Sequence, residues 1–294
     1  MGDIINNGEM RLPKWFKVRM KQGRDLADVR TILRSHHLHT VCESAVCPNI
    51  WECWNKRTAT FMILGDVCTR NCGYCAVKTG SPGPPEINEP ERVALAAKEM
   101  GLEYAVITSV DRDDLEDGGA SIFAMTVEET RRVSPATKVE ILIPDLKGSF
   151  DALSIVAESR PDVLGHNLET VPRLYQMIKP QARYEISIAI IKEAGAMGVT
   201  TKSGLILGMG EEMDEVREVM GHLIAADCKI LTLGQYLRPS KTHLPVARYY
   251  NPDDFLVLKE EGHRMGFEHV EAGPLVRSSY HAEEQYIRMG GKNE

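Results

Sequence analysis

The chain has 294 residues, 43% of them apolar and 26% charged, and 35 Lys and Arg against 42 Asp and Glu leave a net charge of −7. These proportions exclude a disordered or fibrous chain, and the acidic balance argues against a general nucleic-acid binder. No apolar stretch approaches the ~18 residues that span a bilayer, and Asp3, Glu9, Arg11, Lys14 and Lys17 interrupt the region where an export signal would run, so a cytoplasmic protein is expected.

The N-terminal region reads as loop-rich to about Arg57, with one amphipathic helix marked by Leu26, Val29 and Leu33 at helical spacing. A βα alternation begins with a strand over Thr60–Leu64. After a cysteine loop and the connector Ser81-Pro-Gly-Pro-Pro85, a helix starts near Asn88 or Glu89 with Val93, Ala96, Ala97 and Met100 on one face. Further strands are expected at Tyr104–Ser109, Lys138–Ile143, Val163–His166, Thr200–Leu207 and Ile230–Leu233. Helical stripes lie between them, among them Ile186, Ala189, Ile190, Ala194 and Met197, and then Val216, Val219, Met220, Leu223 and Ile224.

Strands joined by helical crossovers imply a parallel sheet, either a barrel wall or an open doubly wound sheet. No dinucleotide fingerprint supports the second: Gly208-Met-Gly210 has Met213 where a third glycine would stand, and no P-loop is present. In a barrel, catalytic groups sit on the loops that follow strands, and the cysteine loop directly follows the first one.

Six of the seven cysteines fall between Cys42 and Cys75. In a chain expected to keep its thiols reduced, such a cluster points to metal before disulfides. Cys68, Cys72 and Cys75 form a Cx3Cx2C triplet. Three thiolates in one short loop suit three irons of a cubane and leave a fourth iron open to another ligand. A zinc knuckle is the alternative, although zinc loops more often show paired CxxC elements. Cys42, Cys47 and Cys53 form a second triplet, Cx4Cx5C, which alone reads as a metal staple for a loop-rich terminus. Cys228 reads as a small buried thiol. His36, His37 and His39 are assigned no ligand role, since neutral surface histidines are common and thiolates lie nearby.

The Cx3Cx2C loop after the first strand, with the aromatic Tyr74 inside it, resembles the radical S-adenosylmethionine superfamily. Both triplets together resemble the lipoyl synthase family. So do the words Leu38-His-Thr-Val-Cys-Glu43, Cys47-Pro-Asn49, Thr108-Ser-Val-Asp-Arg-Asp-Asp114, Asp117-Gly-Gly-Ala120, Gly165-His-Asn-Leu-Glu-Thr170 and Arg277-Ser-Ser-Tyr280, and the likeness runs from about Leu12 to His281.

The resemblance implies a partial (β/α)6 TIM-type barrel over residues 58–272. It also implies an auxiliary-cluster extension over 1–57 and a C-terminal tail over 273–294. It further implies two 4Fe–4S clusters and S-adenosylmethionine as cofactors. Cys68, Cys72 and Cys75 would hold the radical-generating cluster. Cys42, Cys47, Cys53 and Ser279, or by adjacency Ser278, would hold the sulfur-donating one. Tyr74 would face adenine, Gly118 and Gly119 the amino group, and Asn167 and Glu169 the ribose or its surroundings. Gly204–Glu211 resembles the superfamily's adenine platform.

The implied reaction inserts sulfur at carbons 6 and 8 of an octanoyl-lysine. That lysine would sit on a lipoyl carrier domain, either of a 2-oxoacid dehydrogenase E2 or of a glycine cleavage H protein. The reductant would be a ferredoxin or flavodoxin, with no membrane or nucleic-acid partner. Another radical sulfur-inserting enzyme and a non-catalytic iron–sulfur carrier are the competing readings. Arg11, Lys14, Lys17, Arg19, Lys21 and Arg24 form a run without Asp or Glu that suits docking of an acidic carrier.

Overall fold

The structure, a computed structural model, describes residues 11–16 and 24–290. Seven parallel strands form its centre, paired in chain order: β1 (Thr60–Ile63), β2 (Tyr104–Ser109), β3 (Lys138–Leu142), β4 (Val163–Gly165), β5 (Thr201–Leu207), β6 (Ile230–Gln235) and β7 (His269–Gly273). Helices return the chain after each of the first six, including Glu89–Met100, Ala120–Val133, Phe150–Glu158, Tyr184–Ala196, Met213–Ala225 and Pro252–Met265. Sequential parallel pairing with helices outside is a barrel wall, and the doubly wound alternative falls. The wall does not close. On β1's outer edge lies a two-residue antiparallel strand, His39–Thr40, and β7 ends the other side.

The six expected strands are present within a residue or two. The seventh, β7, was not expected, because in its sequence His-Val-Glu-Ala-Gly only Val270 is strongly apolar. Its polar side chains have partners that offset the weak pattern: Glu271 takes Lys259 at 3.4 Å and His269 at 3.4 Å.

The helical stripes are buried as their spacing requires. Leu26, Val29 and Leu33 face the core, as do Val216, Val219, Met220 and Leu223. Met197 departs from its stripe: it is the C-cap residue after the helix Tyr184–Ala196 and is 41% exposed. No helix of the described residues is long and apolar enough to cross a membrane.

The exit from β1 aims the cysteine loop. Leu64 and Gly65 both take positive φ, 68° and 89°, which turns the chain sharply at the strand's end. The carboxylate of Glu89, buried at the start of its helix, accepts the Leu64 N–H at 2.7 Å and fixes that turn.

Candidate functional site

Arg70, inside the Cx3Cx2C loop, is the anchor of the site. Its guanidinium is buried and bonds two carboxylates in forks, Asp113 at 2.7 and 2.8 Å and Asp145 at 2.8 and 2.6 Å. Those carboxylates follow β2 and β3, so the loop after the first strand is tied to the loops after the next two. Paired forks of this kind fix orientation as well as distance. Asp145 is held below the ordinary carboxylate range by Arg70, against the opposing effect of its own burial. The turn at Cys72–Cys75 is gripped from the other side. The Gly73 N–H donates to the Ile178 carbonyl at 2.8 Å, and His243 Nε2 meets the Cys75 carbonyl at 2.9 Å.

Cys68, Cys72, Cys75 and Tyr74 border a cavity of about 380 Å³, together with Asn167 and Glu169. Two backbone N–H groups already point at the Cys68 sulfur, from Arg70 at 3.4 Å and Asp111 at 3.3 Å. Thr108 and Ser109 at the end of β2 form part of the wall. Gly118 and Gly119 do not line it. Gly119 instead caps the helix Ala120–Val133 with φ 94°, its N–H bonded to Asp117 at 2.8 Å. The Ile206 side chain of Gly204–Glu211 reaches the cavity, while Glu211 folds back on its own turn, accepting from Gly208 and Met209.

Lys179 borders an adjoining cavity, its buried ammonium bonded to the Asn167 carbonyl and the Tyr175 hydroxyl. Lys179 and Asp111 were not singled out from the sequence. Asp111 at least stood within the matched Thr108–Asp114 word, whereas Lys179 carries no local signal.

Cys42, Cys47 and Cys53 border a second, smaller cavity, and Ser279 and Tyr280 complete its wall. Cys42 lies on a single helical turn, Val41–Ser44, where the Thr40 hydroxyl oxygen accepts the Glu43 N–H, and Cys53 lies on the helix Ile50–Asn55. The C-terminal residues reach them as a strap running back from the end of β7. Asn49 Nδ2 donates to the Leu275 carbonyl at 2.7 Å, and the Tyr280 hydroxyl donates to Glu52 at 3.0 Å. Gly234 on β6 makes this path possible, because a Cβ there would lie 2.1 Å from the Val276 carbonyl oxygen. Ser278, one residue from Ser279, lines the first cavity.

All six of these cysteines are free thiols. Burial pushes Cys53 and Cys72 up to about 12, and Cys42 and Cys75 up to about 11. Thiols so placed ionise only beside a strongly cationic centre, which is the chemistry an iron–sulfur core offers. Among the described residues no three Cys, His, Asp or Glu groups converge as a single bound ion requires. Each triplet rims a cavity instead, and the donor set fits a cluster. His36 pairs with Glu99 at 2.9 Å, and Cys228 is buried with its thiol directed at the Ile230 carbonyl.

The radical SAM superfamily model matches residues 62–223, and a model described as the N-terminal domain of lipoyl synthase of that family matches residues 4–47. A lipoyl synthase of Rubrobacter xylanophilus is 54% identical over 275 residues, covering 93% of this chain and 86% of that one. Another, of Symbiobacterium thermophilum, is 52% identical over 94% and 87% of the two chains. A third, of Bacillus velezensis, is 50% identical over 97% of each. Among solved structures, Streptococcus suis SuiB bound to S-adenosylmethionine superposes with a TM-score of 0.54 at 14% identity, over 68% of this chain and 45% of that one. Methylornithine synthase (PylB) gives 0.53 at 14% identity over 79% and 68%. At such identities these two establish a shared fold.

Proposed function

This chain belongs to the lipoyl synthase family of the radical S-adenosylmethionine superfamily, and on that premise we propose how its two cysteine sites divide the work. It is an enzyme that inserts sulfur into a protein-bound octanoyl chain, with S-adenosylmethionine and 4Fe–4S clusters as cofactors. In our reading Cys68, Cys72 and Cys75 hold the cluster that binds S-adenosylmethionine. Cys42, Cys47, Cys53 and Ser279 hold the auxiliary cluster, whose sulfur is the second substrate. The bound groups supply an adenosyl radical and the sulfur for carbons 6 and 8; the residues of the chain supply everything that orients them.

The Arg70 forks keep the first thiol loop rigid against the β2 and β3 loops. Tyr74, Asn167 and Glu169 border the space for the adenosyl moiety, with Thr108 and Ser109 also in the wall. Val41, Val46 and Met62 give the same cavity an apolar flank toward the second site, suited to an alkyl chain and unfavourable to water. The observation that carries the reading is that each thiol triplet rims its own cavity and the two cavities meet at Arg277.

The carrier would be an octanoylated lipoyl domain or H protein, reduction would come from a ferredoxin or flavodoxin, and the compartment would be the cytoplasm. The domain limits proposed are 1–57, 58–272 and 273–294. The basic run supports an acidic carrier by charge alone, since Lys17, Arg19 and Lys21 lie outside the described residues.

The test is one reaction of anaerobically prepared protein with octanoylated carrier domain, S-adenosylmethionine and reductant. The reading requires both 5′-deoxyadenosine and lipoylated carrier. Deoxyadenosine without lipoyl product favours a different sulfur acceptor, and absence of both favours a non-catalytic iron–sulfur carrier.

A further inference from the structure

Arg277 is the one described residue that lines both cavities. It is half-buried at this junction, with the Cys47 thiol and Glu169 as its ionisable neighbours. From Nη1 it donates to the Val276 carbonyl at 2.7 Å, and it forms no ion pair among the described residues. A partly desolvated cation between two cavities is favoured by negative charge placed on the cavity sides it faces. Glu169 answers that charge from the first cavity, where burial raises its pKa while Lys179 and Arg277 work to lower it. On the other side stand Cys42, Cys47, Cys53 and Ser279. Three thiolates and an alkoxide around a 4Fe–4S core make an anion.

Arg277 cannot easily withdraw from this position. Its strap is seated in the space left by Gly234, and the place a Cβ would take there is 3.3 Å from Arg277 Nη1. The neighbouring bonds from Asn49 to Leu275 and from Tyr280 to Glu52 hold the strap on both sides.

We infer that Arg277 is the fixed counter-charge of the auxiliary cluster, a positioning residue that stands between the two cavities and ligates neither. The inference rests on the proposed assignment of Cys42, Cys47, Cys53 and Ser279. Reduction adds negative charge to a cluster, so a neighbouring cation favours the reduced form, and its removal makes the midpoint potential more negative.

The experiment uses the full chain with Cys68, Cys72 and Cys75 replaced by Ala, so that only the auxiliary cluster contributes to the signal. Its midpoint potential is followed by electron paramagnetic resonance in three forms: with Arg277 intact, with Arg277→Gln and with Arg277→Lys. The expected result is a shift to more negative potential in Arg277→Gln and a return toward the parent value in Arg277→Lys. An Arg277→Gln potential equal to the parent overturns the inference. If Arg277→Gln retains too little iron to titrate, Arg277→Lys decides by iron and sulfide content. Recovery of the parent content supports a charge role, and equal depletion overturns it. A parent that itself holds no cluster refutes the ligand assignment, an outcome separate from any shift.

Discussion

The Thr60 hydroxyl, on the first residue of β1, donates a 2.8 Å hydrogen bond to the Ser279 hydroxyl oxygen, across 219 residues of sequence. The barrel's first strand thereby orients the strap's second serine toward the three thiols of the second cavity. A donor aimed at that oxygen also stabilises its anionic form, the form that binds a metal centre.

Ser279→Ala should leave formation of 5′-deoxyadenosine largely intact while lowering or stopping sulfur insertion. Ser278→Ala should retain both. Comparison of deoxyadenosine and thiolated product in the same reaction decides it, and the reverse pattern moves the ligand by one residue.

The two triplets should fail differently. With Cys68, Cys72 and Cys75 changed to Ala, cleavage of S-adenosylmethionine should be lost. With Cys42, Cys47 and Cys53 changed, cleavage should persist and lipoyl product should vanish. Iron and sulfide should fall from about eight of each per chain to about four in either variant. Product from the second variant without added sulfide contradicts the donor assignment.

Gly234→Ala tests the strap without touching a cysteine. A methyl group at 2.1 Å from the Val276 oxygen must push the strap off β6, at a cost of roughly 1–3 kcal/mol. Far-ultraviolet circular dichroism should stay that of the parent, while auxiliary iron is lost to a chelator faster. Unchanged chelation kinetics would show that the strap does not guard the site.

His166 should make stability depend on pH. Its ring is buried, bonded to the Ile143 carbonyl at 3.0 Å and to Ser187 at 2.9 Å, and burial lowers its pKa to about 4. Above the unfolded value near 6.5 the ring is neutral in both states and contributes no penalty. As pH falls toward 4 only the unfolded chain takes up the proton, so stability is lost across that window, by about 1.4 kcal/mol at pH 5.5. Denaturant titrations of the cluster-loaded protein at pH 7.5 and 5.5 should show this loss in the parent and a smaller one in His166→Gln. Equal losses would remove His166 as the cause.

The sequence made the barrel legible because its strands are apolar runs at regular intervals and its helices carry long stripes. β7 escaped because its polar residues are satisfied by neighbours that no local pattern reveals. The six cysteines stood out by spacing alone, and Ser279 only by resemblance, since a serine in a tail has no chemical signature of its own. Arg277 was visible merely as the first letter of the matched Arg-Ser-Ser-Tyr word. Its significance depends on a strap path set by Gly234, a contact between positions that share no periodicity. A glycine pair suits either a cofactor loop or a helix start, and Asp117 ties this one to the start of the helix Ala120–Val133.

The unclosed wall between β1 and β7 has a consequence for biosynthesis. The thiols of the second cavity come from residues 42–53 and its remaining wall from 277–280, so the two halves are separated by the entire barrel. A ribosome exposes the Cys68–Cys75 loop and the strands around it long before the strap emerges. The first cavity's three thiols therefore leave the ribosome together in one short loop, whereas the second cavity's wall is complete only once the strap has followed the whole barrel out.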